Sequence, residues 1–153
     1  MEPLPSEKND PTPIQTVMRD HQGLHLSLQG IAAHLGSADT PSKEHSQRLQ
    51  KFKEGLQNVG KKLNGHFHME ESIDFVKELV RHFPHMEEHW RNLCREHEKI
   101  RQSLQGLLEK AEVLSMASAD PFKGLRQEFF EFVTLLYEHE QRESLVLHMI
   151  AKI

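Results

Sequence analysis

The stretches "GHFHMEES" (65–72) and "YEHEQRES" (137–144) each hold a His, three residues, then a Glu: His66 with Glu70, and His139 with Glu143. Residues four apart on a helix share one face, about 5–6 Å apart. Each pair can therefore aim an imidazole and a carboxylate at one point, a ligand set that suits a transition-metal ion. Two more histidines extend the pattern. "RDHQGLHLSLQG" (19–30) and "REHEKIRQSLQG" (95–106) are identical at six of twelve positions, including His21 and His97. His66 follows His21 by 45 residues and His139 follows His97 by 42. The chain thus reads His, then His-x-x-x-Glu, twice over. Two similar helical hairpins about a pseudo-twofold would bring both sets to one place.

The elements that must position these groups are helical. Pro41, Pro84 and Pro121 divide the chain after residue 13 into four segments, and proline is tolerated at a helix start but not inside one. Thr40-Pro41 and Asp120-Pro121 read as N-caps followed by the first helical position. Apolar residues recur at steps of three and four in each segment. The first runs through Ile14, Val17, Leu24, Leu28, Ile31 and Leu35, and the second through Phe52, Leu56, Val59, Leu63, Ile73 and Val80. The third has Trp90, Leu93, Ile100, Leu104 and Leu107, and the fourth Phe122, Leu125, Phe129, Phe132, Leu136, Leu147 and Ile150. Four amphipathic helices with short connections predict an all-α, antiparallel up-down four-helix bundle over 14–153. Residues 1–13, with four prolines, read as a mobile tail. The second segment is long at its start, so its first turns should overhang the first helix.

His21, His66, Glu70, His97, His139 and Glu143 all fall inside the apolar stripes. Burying a carboxylate without a partner is strongly unfavourable, and a shared metal site satisfies all six groups together. The 12 histidines of this 153-residue chain point the same way. A formal net charge of −4 with no basic stripe argues against nucleic-acid binding. No apolar run has membrane-spanning length, and the one cysteine, Cys94, allows no internal disulfide. The reading that follows is a cytoplasmic protein with no membrane or nucleic-acid partner.

At these residues the chain resembles the hemerythrin-like family of HHE cation-binding domains, over about residues 14–150. The resemblance implies a non-haem di-iron centre: His21 and His66 on one iron, His97 and His139 on the other, Glu70 and Glu143 bridging, with an oxo or hydroxo bridge between them. Zinc or manganese would suit the same donors. It also implies a small ligand such as O2, NO or peroxide. The pattern departs from the oxygen-carrying hemerythrins, which have His-x-x-x-His on the third helix and His-x-x-x-x-Asp on the fourth. Here Leu93 precedes His97 by four and the fourth helix carries His-x-x-x-Glu. One histidine fewer leaves both irons an open or water-filled position, which weakens simple oxygen carriage as a reading. A metal- and ligand-binding protein stands ahead of an enzyme. The alternatives are turnover of peroxide or NO, protection of iron centres under stress, and an iron or oxygen sensor acting through a partner protein. A ferritin-like centre is disfavoured, because that class uses Glu-x-x-His and no histidine here has an acid three residues before it.

The remaining candidates carry ordinary readings. His25, four after His21, could substitute as a ligand, whereas His68, two after His66, points elsewhere. His34, His45, His82, His85, His89 and His148 read as surface or turn residues. Cys94, three before His97, reads as a small buried apolar side chain that could border the site. Phe67, Trp90, Leu93, Phe132 and Leu136 read as core, some of them walling the pocket, and Tyr137 receives no role. Gly23 and Gly65 read as helix-interior glycines, with a gas path as the alternative.

Overall fold

A computed structural model of the protein describes residues 12–36, 39–116 and 119–151. They are all-helical, with five helices: α1 Pro13–Ala32, α2 His45–Glu70, α3 Ile73–His82, α4 Glu87–Glu112 and α5 Lys123–Ala151. Short 3-10 turns at Ser42–Glu44 and Pro84–Met86 precede α2 and α4. No strand occurs among the described residues, and no helix among them is long and apolar enough to cross a membrane.

The helix ends follow from local chemistry. Thr12 caps α1: its side chain accepts from Gln15 N–H, while the Gln15 side chain accepts from Thr12 N–H, with Pro13 at the first helical position. Residues 12 and 13, assigned to a tail by the sequence, thus belong to this helix start, and 1–11 lie outside the described residues. Pro41 precedes the 3-10 turn that leads into α2. At the other predicted cap α5 begins at Lys123, two residues after Pro121.

The second segment is not one helix. Ser72 ends it: the Ser72 backbone is extended, its hydroxyl accepts from Phe75 N–H at 3.2 Å and donates to Met69 O at 2.7 Å. A serine that bonds the backbone locally competes with helix continuation and starts a new helix instead. The phase therefore resets. Ile73, placed in the stripe by sequence, is 72% exposed, and Phe75 and Leu79 become the buried face of α3.

Two apolar clusters hold the fold. The larger joins Leu24, Leu28 and Ile31 of α1, Phe52 to Phe67 of α2, Ile100 to Ala111 of α4 and Phe122 to Leu136 at and along α5. The smaller joins Ile14 and Val17 of α1, Phe75 and Leu79 of α3, Trp90 and Leu93 of α4, and Val146 and Leu147 of α5. Along the chain, α1 and α4 run from the smaller cluster to the larger, and α5 runs back. On these three helices the residues singled out for metal chemistry fall between the clusters: His21 after Val17 and before Leu24, His97 between Leu93 and Ile100, His139 and Glu143 between Leu136 and Val146. On α2 they occupy its last turns, and α3 closes that end.

The early start of α2 is accommodated as expected. Ile31 Cγ1 would lie 2.7 Å from a Cβ added at Gly55. That contact is ten residues beyond His21 and eleven before His66, so the two histidines reach the same level while the first turns of α2 run past Ala32.

Candidate metal centre

The six predicted residues converge. His66 Nε2 lies 2.5 Å from Glu70 Oε1, and His97 Nε2 lies 2.7 Å from Glu70 Oε2. Glu143 repeats the arrangement: its Oε2 is 3.2 Å from His21 Nε2, and its Oε1 is in contact with His139 Nε2 and 3.9 Å from His97 Nε2. Each carboxylate turns one oxygen toward His21 and His66 and the other toward His97 and His139. The result is two four-residue groups, His21–His66–Glu70–Glu143 and Glu70–His97–His139–Glu143, with one donor atom per residue and all donors of a group within 4.8 Å of one another. Donors at about 2.1 Å from a common ion sit at most about 4.2 Å apart, so sub-ångström adjustments bring each group into coordination range.

Burial makes the arrangement costly without such an ion. Glu70, His97 and Glu143 are 0% exposed, His139 1%, His66 3% and His21 9%. His21 Nε2, His66 Nε2, His139 Nε2, Glu70 Oε1 and both Glu143 oxygens lack a hydrogen-bond partner of proper geometry among the described residues, close as they lie to one another. These atoms crowd around two shared points rather than pairing along donor–acceptor directions. Orphaned buried donors and acceptors are rare in folded proteins and demand a cause. Two nitrogens and two oxygens per point fit iron, manganese or zinc by donor chemistry.

The charges answer one another. Burial opposes protonation of His139, but the neighbouring carboxylates of Glu143 and Glu70 outweigh it and raise its pKa to about 10. His97 is raised to about 9 for the same reason, and His66 is raised as well. Burial and the mutual repulsion of the two acids push Glu70 up, yet His139, His66 and His97 bring it below its usual value. Glu143, also opposed by burial, is held well below it by His139, His21 and His97. His97 and His139 are thus favoured as imidazolium beside the two carboxylates, and a metal ion bound there would have to displace those protons.

Several residues that sequence reasoning missed support these histidines from behind. Glu71 Oε1 accepts from His97 Nδ1 at 2.7 Å, and Glu96 Oε1 accepts from His139 Nδ1 at 3.1 Å. Glu96 is itself held by Arg142. Asp20 Oδ2 lies 3.7 Å from His66 Nδ1. Carboxylates at the outer nitrogen fix a ligating imidazole's tautomer and orientation. The signal was in the repeat: Asp20 and Glu96 occupy the same position of "RDH" and "REH", and each faces the histidine of the next His-x-x-x-Glu step.

The surroundings are tightly packed on one side and open on the other. Phe67 stacks on His97 with ring centroids 3.9 Å apart and 10° between planes. Trp90 Nε1–H donates to Glu70 O at 3.0 Å, and Cys94 Sγ lies 4.0 Å from the same carbonyl, so Cys94 does border the site. Burial and the nearby Glu70, Glu143 and Glu71 carboxylates raise its pKa, which keeps it a thiol. Gly23 and Gly65 have nothing within 4 Å of an added Cβ and line a shallow groove beside His66.

Three histidine readings change or sharpen. His25 is not within either group; its Nε2 bonds Glu140 Oε2 instead. His45, read as a surface or turn residue, is buried: it bonds Thr40 O at 3.1 Å and meets the Phe122 ring edge-on, because α2 begins by folding over that turn. His148 is exposed and lines a groove between α1 and α5. Tyr137, given no role, lines the same groove and packs on the His25 ring at 4.5 Å.

Comparison with protein-family models, curated proteins and solved structures finds no match to this chain.

Proposed function

We propose that this chain is a hemerythrin-like non-haem di-iron protein that binds a small ligand of the O2, NO or peroxide kind. The observation that carries the reading is the double use of Glu70 and Glu143, each with one oxygen toward each histidine pair. Isolated core histidines satisfied by chance would not share two carboxylates in this way. The directions of α1, α2, α4 and α5 suit an antiparallel up-down bundle of two hairpins, with α3 as an added closure over the end of α2.

In this reading His21 and His66 hold one ion, His97 and His139 the other, and Glu70 and Glu143 span both. Iron would supply redox-active centres with coordination positions left open for a diatomic or peroxide, since each ion has only two histidines. The protein's own part is positioning and exclusion. Glu71 and Glu96 fix the His97 and His139 rings. Phe67 and Trp90 keep water from that side. His21, the most exposed of the six, leaves a route for a small ligand. Two carboxylates shared between adjacent sites give the mixed nitrogen and oxygen set of a carboxylate-bridged metal pair, and the hemerythrin-like resemblance makes iron the proposed occupant.

The test is metal analysis with a visible spectrum, taken after anaerobic reduction and again after exposure to O2. The expected result is about two irons per chain, one for each donor group, and an oxo-bridge charge-transfer band. Absence of iron, or one zinc with no spectral change on exposure, would remove the oxygen chemistry. A spectrum that reverses when O2 is withdrawn favours carriage; irreversible oxidation favours redox chemistry or sensing.

A further inference from the structure

A groove of about 750 Å3 lies between α1 and α5, lined by Tyr137, Glu140, Leu145, Met149, His25 and His21 among others. Its volume is within the range of about 300–1,000 Å3 typical of sites for small organic molecules. Leu145 is 72% and Met149 44% exposed, so this concave surface presents apolar side chains to its open side. Glu140 lines it from a buried position, 4% exposed. One Glu140 oxygen, Oε2, is bonded by His25 Nε2, whose ring is steadied by Tyr137. The other, Oε1, is buried and has no hydrogen-bond partner among the described residues.

A buried carboxylate oxygen without a donor is unfavourable, and a native structure that keeps one needs a reason. The metal centre does not supply it, since Glu140 belongs to neither donor group. An apolar molecule with a single hydrogen-bond donor would supply it and cover the exposed carbon surface at the same time. We propose that this groove binds such a molecule, an alcohol, phenol or amine, with its donor on Glu140 Oε1 and its apolar body against Tyr137, Leu145 and Met149. The site does not depend on metal at His21, although His21 lines the same groove. An organic ligand there would therefore sit beside the more open half of the proposed centre.

The experiment titrates the whole chain with phenol, benzylamine and toluene, following the Leu and Met methyl resonances by NMR, with metal content read in parallel. Phenol or benzylamine should shift the Leu145 and Met149 methyls saturably, and toluene should bind at least about tenfold more weakly. A lead for phenol assigns a neutral hydroxyl ligand and a lead for benzylamine an amine. Leu145→Glu, at an exposed position, should abolish the shifts with metal content unchanged; Glu140→Gln should weaken benzylamine more than phenol. Equal binding of toluene, no saturable shift, insensitivity to Leu145→Glu, or methyl shifts that track self-association of the chain would each overturn the proposal. Probe binding without bound metal would uphold it while the di-iron reading fails.

Discussion

His97 and His139 are 0% and 1% exposed, and each has a carboxylate on its outer nitrogen: Glu71 at 2.7 Å and Glu96 at 3.1 Å. His21 and His66 are 9% and 3% exposed, His66 faces Asp20 at 3.7 Å, and grooves open beside both. The donor atoms are the same in kind, yet the support differs. The repeat shows where it diverged. Glu71 follows Glu70, whereas Ser144 follows Glu143, so the acid that serves His97 has no counterpart at the corresponding position on α5. Phe67 adds a stacked ring to His97 alone. A better-supported half and a more open half would suit the proposed centre, which has to hold metal and still meet a ligand.

The largest effect should come from what the halves share. Glu143→Ala removes a donor from both, and bound metal should fall from about two ions per chain to less than about half an ion; retention of both ions by metal analysis would dissolve the shared-bridge account. Next in size is the difference between histidines. In the metal-free protein His97→Ala should cost about 3 kcal/mol, because it leaves Glu70 buried with less compensation, and His21→Ala only about 1 kcal/mol. Denaturant unfolding reads both, and equal losses would erase the asymmetry. Smaller again are the supporting acids: Glu71→Gln or Glu96→Gln should weaken metal binding about 10- to 100-fold, and Asp20→Asn no more than about threefold, since 3.7 Å is beyond a direct hydrogen bond. Competition with a chelator would rank them.

The pH dependence of the metal-free protein sharpens the same contrast. His97 and His139, raised to about 9 and about 10, contribute stability that is complete below the unfolded imidazole value of about 6.5 and is lost as pH rises through the folded values. Glu70 and Glu143, both lowered, contribute stability present above the unfolded carboxylate value of about 4.3 and lost as pH falls through their folded ones. The metal-free melting temperature should therefore decline from about pH 7 toward 10, and loading with metal should flatten that decline as ligand protons are displaced. A rising melting temperature over that range would contradict the protonation of His97 and His139.

Much of this was legible in the sequence for identifiable reasons. Steps of three and four placed Leu24, Leu63, Ile100 and Leu136 on buried faces, and the same phase exposed the anomaly of His21, His66, His97 and His139 within them. The break at Ser72 was missed because a continued apolar phase hides a local hydrogen bond between a serine hydroxyl and the backbone. His45 is in phase with the α2 stripe, four before Leu49 and seven before Phe52, but a histidine at a helix start reads equally well as a turn residue, and only the packing of Thr40 and Phe122 against it gives the burial. Asp20 and Glu96 were in view as repeat neighbours, but their partners sit one helix away and only the packing joins them. Glu140 lies four after Leu136 and seven before Leu147, in the phase of the buried face, but that spacing says nothing about a groove formed with α1.

The most direct test of the central claim is a Mössbauer spectrum of the iron-loaded, oxidised protein. The account predicts two irons in equal amounts, magnetically coupled through the shared bridge and distinguishable because their surroundings differ. A single uncoupled iron per chain would contradict it and leave Glu70 and Glu143 as ligands of one ion.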